Sequence, residues 1–142
     1  DMVLIHDGAR PFVKVESIEA GIKGVEENGA CIIGVPVKDT IKLIKDECII
    51  ENTPDRRFIW AAQTPQCFFY DIIMKAYRQA VEDQFIGTDD GMLVERLGYK
   101  VKMIMGDYNN IKITTPEDLI IAESIVKEKD FIYMKNLIFR TR

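Results

Sequence analysis

Apolar positions along the chain switch between short continuous runs and helical spacing, the pattern of strands and helices alternating around a mostly parallel sheet buried on both faces. Met2-Val3-Leu4-Ile5-His6 reads as a buried strand with neither a helix nor a start methionine before it, so the chain is expected to begin inside a fold. Ser17 is placed to cap a helix whose Ile18, Ile22 and Val25 share one face until Asn28-Gly29 stops it, and Cys31-Ile32-Ile33-Gly34-Val35 is the next buried strand. A short strand is expected near Ile59 to Gln63. The stripe of Ile72, Ile73, Ala76, Tyr77, Ala80 and Val81 predicts a core-facing helix over 70–83. Thr88 is expected to cap a shorter helix through Leu97 that Gly98 ends, followed by a strand from Val101 to Met105. Thr115-Pro116-Glu117-Asp118 opens the last helix, with proline at its first position and a carboxylate placed for a capping box. The pattern assigns nothing to residues 130–142.

Between Pro36 and Trp60 the pattern changes. Thr40-Ile41-Lys42-Leu43-Ile44 and Cys48-Ile49-Ile50-Glu51 flank a polar turn at Lys45-Asp46-Glu47, which predicts an antiparallel hairpin within a projecting arm at about residues 37–57. The arm carries too many apolar residues to stand in water, and isolated hairpins are marginal, so it is expected to pack on a second subunit. With no internal repeat, low-complexity stretch or linker, residues 1–142 read as a single α/β domain.

Composition narrows the function classes. A chain of 142 residues with 47% apolar and 30% charged side chains is ordinary for one soluble domain with a hydrophobic core. The net charge is −4 and the basic residues are scattered, so no field draws in a nucleic-acid polymer. No apolar stretch approaches the ~20 residues that span a bilayer, and no leader opens the chain, so no membrane partner is expected. Cys31, Cys48, Cys67 and the single histidine fit neither a zinc pattern nor a disulfide framework, and the cysteines read as reduced thiols of a cytoplasmic protein.

Candidate chemistry gathers at predicted strand ends, where open α/β sheets place their ligands. In His6-Asp7-Gly8-Ala9-Arg10-Pro11-Phe12, Asp7 can accept hydroxyl hydrogen bonds or sit near a metal, and Arg10 can fork onto a phosphate or carboxylate. An Asp7–Arg10 pair that merely fixes the loop is equally in keeping with the pattern. His6 reads as a packed strand-end residue, because no serine, cysteine or second histidine accompanies it. Thr40, Arg56 and Thr64 bracket the arm: the arginine could hold a phosphate and the threonines could bond hydroxyls, yet each is also an ordinary turn or cap residue. Gln66, after Pro65, reads as bonding loop backbone. Lys112 is placed on a short strand before a helix N-terminus, either as part of an anion site or as a solvated edge residue. Thr88-Asp89-Asp90 reads as a helix cap first and a substrate or metal contact second. No G-x-G-x-x-G or other phosphate-cradling loop occurs.

In order along the chain, HDGARPF, VPVKDTIK, TPDR, WAAQTPQ, TDDGMLVE and NIKITTPEDLIIAE resemble the 2-C-methyl-D-erythritol 4-phosphate cytidylyltransferase family over residues 1 to about 128. The resemblance implies a Rossmann-like nucleotidyltransferase fold, a three-layer sandwich truncated at its N-terminus, with a homodimer formed through the arm. It also implies attack by the methylerythritol phosphate on the α-phosphate of CTP with Mg²⁺ present, releasing pyrophosphate, in non-mevalonate isoprenoid synthesis. Lys112 and Arg56 would bind and orient the acceptor phosphate, and Asp7, Arg10, Thr40, Thr64 and Thr88 would line the polyol pocket. Ligands for the metal are not assigned. Such a reaction needs positioning and cations over developing charge, with no protein nucleophile. The family's glycine-rich nucleotide loop would precede residue 1, so the chain alone is expected to be inactive. A pentitol-phosphate cytidylyltransferase, such as the ribitol phosphate enzyme, and a non-catalytic dimerising α/β module are the competing readings. The wording of VPVKDTIK and WAAQTPQ favours methylerythritol phosphate.

Overall fold

Side chains of successive strand residues point to opposite faces, so a strand buried on both sides serves two cores at once. The computed structural model describes residues 1–139 and shows this in each central strand. The elements are β1 (Met2–Ile5), α1 (Val15–Asn28), β2 (Ala30–Pro36), β3 (Leu43–Ile44), β4 (Ile50–Asn52), β5 (Trp60–Phe69), α2 (Tyr70–Glu82), α3 (Asp90–Arg96), β6 (Lys102–Met105) and α4 (Pro116–Phe139). Cys31 and Cys67 turn to one face, under Val25 of α1, with Met2, Leu4 and Ile104 beside them. Their neighbours Ala30 and Phe68 turn to the other, against Ile73, Ala76 and Ala80 of α2 and Val94 of α3, joined by Val3 and Ile5. Helix, sheet and helices thus form three layers. Helix α4 packs Ala122 and Ile125 on Phe12, Ile111 and Ile113, which ties it to the loops that follow β1 and β6.

The sheet order is β1-β5-β2-β6. Strands β1, β2 and β6 point the same way, and β5 runs against both of its neighbours. The strand directions are therefore mostly parallel, but the strand expected to be short, near Ile59 to Gln63, is a ten-residue antiparallel member between β1 and β2. Gln63, Thr64 and Gln66 break its apolar run, and only pairing on both edges holds it extended.

Several local expectations shift for identifiable reasons. Ser17 does not cap α1: the helix starts at Val15 after Lys14, and Ser17 is buried inside it. Its sheet-facing side is built on Gly21 and Gly24, where a Cβ would stand 2.7 Å from Cys67 Sγ or Cys31 Sγ, so the helix comes too close for larger residues and Ile22 is left exposed. On α2, Ile73, Ala76 and Ala80 are buried, whereas Tyr77 and Val81 face out. The cap of α3 is Asp89, whose Oδ1 accepts the Met92 N–H at 2.8 Å, with Thr88 one residue before it. Lys112 lies in an extended loop rather than a strand, and that loop is held by the Ile113 N–H donating to the Ala9 carbonyl at 2.9 Å. The capping box of α4 forms as expected: the Thr115 N–H donates to Asp118 Oδ2 at 2.9 Å, and the Asp118 N–H approaches Thr115 Oγ1 at 3.4 Å. This helix continues through residue 139, and the last three residues of the unassigned 130–142 stretch lie outside the described residues.

The arm hairpin is present but shorter than its apolar pattern, pairing Leu43 with Asn52 and Ile44 with Ile50 around a 3₁₀ turn at Asp46–Cys48. Its strands form a separate two-stranded sheet, so among the described residues they have no third strand to extend them.

The tightest backbone approach in the sheet makes a stability prediction. A Cβ on Gly34 would lie 2.8 Å from the Ala61 carbonyl oxygen and 2.4 Å from Met103 Cε, whereas one on Gly8 meets nothing within 4 Å. In the full-length protein Gly34→Ala is expected to cost about 1–3 kcal/mol by overpacking. Gly8→Ala should stay within about 0.5 kcal/mol of the parent. Urea unfolding of the two variants checks this, and equal losses would contradict the packing described.

Candidate active site

The site forms where β1 and β6 end and β5 departs from its ladder. Ile32 pairs with Gln66 and Gly34 with Ala62, so Ile33 alone stands opposite Gln63, Thr64 and Pro65. Proline has no N–H to give to a ladder, and a bulge of this kind re-aims the side chains around it. Thr64 Oγ1 accepts the Asp7 N–H at 3.0 Å and lies 2.8 Å from His6 Nδ1, while His6 Nε2 lies 3.0 Å from the Arg10 carbonyl oxygen. A carbonyl can only accept, so Nε2 is the donor in its pair with Arg10. His6 is thus an exposed bridge between two loops, not a packed strand end.

Asp7 Oδ2 is shared by two cations, Arg10 Nε and Lys112 Nζ, each at 3.2 Å. The Asp7–Arg10 pair that fixes the loop is present, and both residues also face a cavity. Burial works against ionisation of Asp7, but the hydrogen bonds and charges of Lys112 and Arg10 outweigh it and hold the carboxyl below its ordinary range. Arg10 is further fixed by Nη1 donating to the Asn110 carbonyl at 2.7 Å.

These groups line a polar cavity of about 350 Å³ with Gln63, Thr64 and Gln66 on one side and Thr88, Asp89 and Asp90 on the other. Gln66 holds the second wall: its Nε2 donates to Asp89 Oδ2 at 3.0 Å and its Oε1 accepts the Gly91 N–H at 2.8 Å. It therefore bonds the start of α3 rather than its own loop. Tyr77 donates to Asp90 from behind, an interaction that pushes its hydroxyl up to about 12. A larger cavity of about 670 Å³ adjoins Asp90, but its walls include Val81, Phe85, Ile86 and Leu93 and hold no cation. Arg10 and Lys112 line the smaller one.

Of the seven candidate residues, five meet here: Asp7, Arg10, Thr64, Thr88 and Lys112. Thr40 and Arg56 do not line the cavity of their own chain, and Arg56 Nη1 instead donates to the Lys38 carbonyl at 2.6 Å. Sequence reasoning missed the buried Asn110 and Gln63. The signal was available, since an amide on a strand or loop that is otherwise apolar must find buried partners. Among the described residues no three His, Cys, Asp or Glu side chains are grouped to hold a metal ion, and no helix is long and apolar enough to cross a membrane.

Helices on both faces of the sheet, with a polar, charge-lined cavity beyond the ends of its parallel strands, define a Rossmann-like nucleotidyltransferase fold. Residues 1–128 match the 2-C-methyl-D-erythritol 4-phosphate cytidylyltransferase family, and the chain belongs to that family. It is 55% identical over 128 residues to the enzyme of that name from Caldanaerobacter subterraneus, covering 90% of this chain and 56% of the relative. To its counterpart from Clostridioides difficile it is 56% identical over 126 residues, covering 89% and 53%. The crystal structure of the 4-diphosphocytidyl-2C-methyl-D-erythritol synthase from Anaerococcus prevotii matches with a TM-score of 0.83 at 39% identity, covering 89% of this chain and 59% of that one. The Thermus thermophilus cytidylyltransferase gives 0.80 at 33% identity, covering 89% and 62%. The chain spans about half the length of the curated relatives it matches.

The charge arrangement gives a pH test. Because Asp7 titrates below its ordinary value of 3.8 in the folded protein, its ionised form adds stability above that value, lost as pH falls through the lower folded one. The wild-type full-length protein should therefore be more stable than Asp7→Asn at about pH 7, with the gap closing below about pH 4. Urea midpoints across that range measure it, and a gap that ignores pH would place Asp7 outside any ionic network.

Proposed function

We propose that the full-length protein transfers CMP from CTP to 2-C-methyl-D-erythritol 4-phosphate, releasing pyrophosphate, as a cytoplasmic enzyme of non-mevalonate isoprenoid synthesis. This chain supplies the acceptor-phosphate side of its site. The observation that carries the reading is the convergence of Lys112 Nζ and Arg10 Nε on one oxygen of Asp7, each at 3.2 Å, at a cavity of about 350 Å³. Arg10 and Lys112 lie side by side on one wall, opposite Asp89 and Asp90, so a phosphate monoester, which carries between one and two negative charges, can take both cations over from Asp7. That volume lies within the ordinary size range of small-molecule sites.

The chemistry follows from this placement. Lys112 and Arg10 hold the acceptor phosphate so that one of its oxygens faces the α-phosphorus of CTP. That oxygen forms the new P–O bond as the bond to pyrophosphate breaks. With the cations engaged by substrate, Asp7 is free to accept a polyol hydroxyl, and Thr64 and Thr88 stand close enough to bond others. Positioning and charge supply the rate, and no side chain needs to act as nucleophile. The residues described do not form a protein-held magnesium site: Asp7 is already shared by two cations, and Asp89 and Asp90 across the cavity do not close on it as a three-ligand group. Mg²⁺ would travel with the triphosphate of CTP, and no step here depends on it. The names of the relatives support methylerythritol phosphate rather than a pentitol phosphate as acceptor.

Thr40 and Arg56 join a site only if the arm crosses to a second copy of the chain. Exposure supports the crossing: Leu43 (49%), Ile44 (59%), Ile49 (63%), Ile50 (56%) and Phe58 (78%) all face solvent. A two-fold exchange of arms would bury them and deliver each Arg56 to its partner's cavity.

Two experiments follow. In the full-length protein Lys112→Ala should lower turnover with the acceptor phosphate about ten- to a hundredfold while leaving CTP binding largely intact. Steady-state kinetics varying each substrate measures this, and near-normal values would sink the assignment. For the arm, an Arg56→Ala protein is mixed with a Lys112→Ala protein under subunit exchange. A shared site concentrates both defects in one pocket of the mixed dimer and frees the other, so activity should return toward about half of wild type for that species. No recovery, with exchange shown by differently tagged subunits, would mean that the arm serves its own chain.

A further inference from the structure

Arg10 and Lys112 repel one another and come from different loops, one after β1 and the other after β6, so their convergence needs a physical cause beyond Asp7. The residue that joins the two loops is Asn110, only 1% exposed. Its side-chain Nδ2 donates to the Thr64 carbonyl at 2.8 Å, and its own carbonyl accepts Arg10 Nη1 at 2.7 Å. Its N–H donates at 3.0 Å to the Asp107 carbonyl, which also receives Gln63 Nε2 at 2.9 Å. Lys112 follows two residues later. One buried side chain and its peptide thus connect the β1 loop, the β5 bulge and the loop that carries the lysine.

Asn110 Oδ1 is buried and has no hydrogen-bond partner among the described residues. An unpaired buried acceptor is unfavourable, and an apolar residue of similar size would avoid it. The amide is kept at that cost because its other arm, Nδ2, holds the Thr64 carbonyl of the β5 bulge.

We propose that Asn110 is a positioning residue for the acceptor phosphate: holding the Thr64 carbonyl and the Arg10 guanidinium, it sets the spacing at which Arg10 and Lys112 grip one phosphate group. It does not touch substrate and acts through the two cations. The proposal rests on the reading of the cavity as the acceptor-phosphate site.

The test is a double-mutant cycle in the full-length protein, with CTP and 2-C-methyl-D-erythritol 4-phosphate as substrates. Asn110→Ala should lower kcat/KM for the phosphate substrate about tenfold and leave the KM for CTP within about twofold. In a Lys112→Ala background the same change should cost less than about threefold, because the cation it positions is gone. Asn110→Ser, which keeps a short hydroxyl donor, should lose less than Asn110→Ala and serves the cycle if the alanine variant does not accumulate folded. Equal losses in both backgrounds, or a parallel rise in the KM for CTP, would overturn the proposal while leaving the acceptor-site reading intact. Failure of both variants to fold would assign Asn110 to stability and overturn it too. Near-normal kinetics for Lys112→Ala itself would remove the underlying reading, and this proposal with it.

Discussion

Strand β5 hydrogen-bonds to β1 along one edge and to β2 along the other, and the two ladders do not keep the same register for its whole length. Pairing with β1 stops at Ile5 and Gln66, and beyond that point β5 places three residues opposite the single Ile33 of β2. The slack falls where one edge is free to accept it. Gln63 and Thr64 leave the regular ladder beside the turn at Asp7, and the Thr64 hydroxyl, His6 and the Arg10 carbonyl become one hydrogen-bonded chain. Without an antiparallel strand at the centre of the sheet, the segment after β1 and the segment after β6 would have nothing between them to bond to.

The same strand sets the packing beneath the site. Cys67 sits across from Cys31, and both sulfurs lie under the glycines of α1, which lets the helix approach the sheet closely. The neighbouring Cys31 sulfur and burial push the Cys67 thiol up, and both buried side chains fill the space beneath the helix. Gln66, one residue earlier, faces the other side and fixes the start of α3 through Asp89 and Gly91. A rigid core on one face and a polar wall on the other are thus consecutive residues of one strand, as the alternation of side chains requires.

Charge is concentrated where the packing leaves room for it. Asp7 holds Arg10 and Lys112 together at the cavity, while Lys14 pairs with Asp107 at the foot of the neighbouring loop. The arm is anchored at its base, where Lys38 lies over the Tyr108 ring, but among the described residues its strands pair only with each other and their apolar side chains face solvent. That imbalance, with a satisfied core on one side and an unsatisfied hairpin on the other, is what the proposed two-fold exchange would resolve.

Local chemistry was enough to read the helix stop at Gly29, the capping box of α4, the strands β1, β2 and β6 and the existence of the hairpin, because each depends on residues close together in the chain. The grouping of Asp7, Arg10 and Lys112 was legible too, but through the order of whole motifs rather than through any one of them. Periodicity could not show that β5 is long, central and antiparallel, since its polar residues break the apolar run and only its neighbours' ladders hold it extended. Nor could it show that Asp89 rather than Thr88 caps α3, that His6 bridges two loops, or that Asn110 is buried between them. The Asp89 cap is a local bond that either neighbouring residue could have made, but for β5, His6 and Asn110 the deciding partners lie in other elements, up to 100 residues away for the Arg10 bond to Asn110. A hydrogen bond between distant segments leaves no spacing in the sequence, and its geometry exists only once the sheet has brought both segments to the same edge.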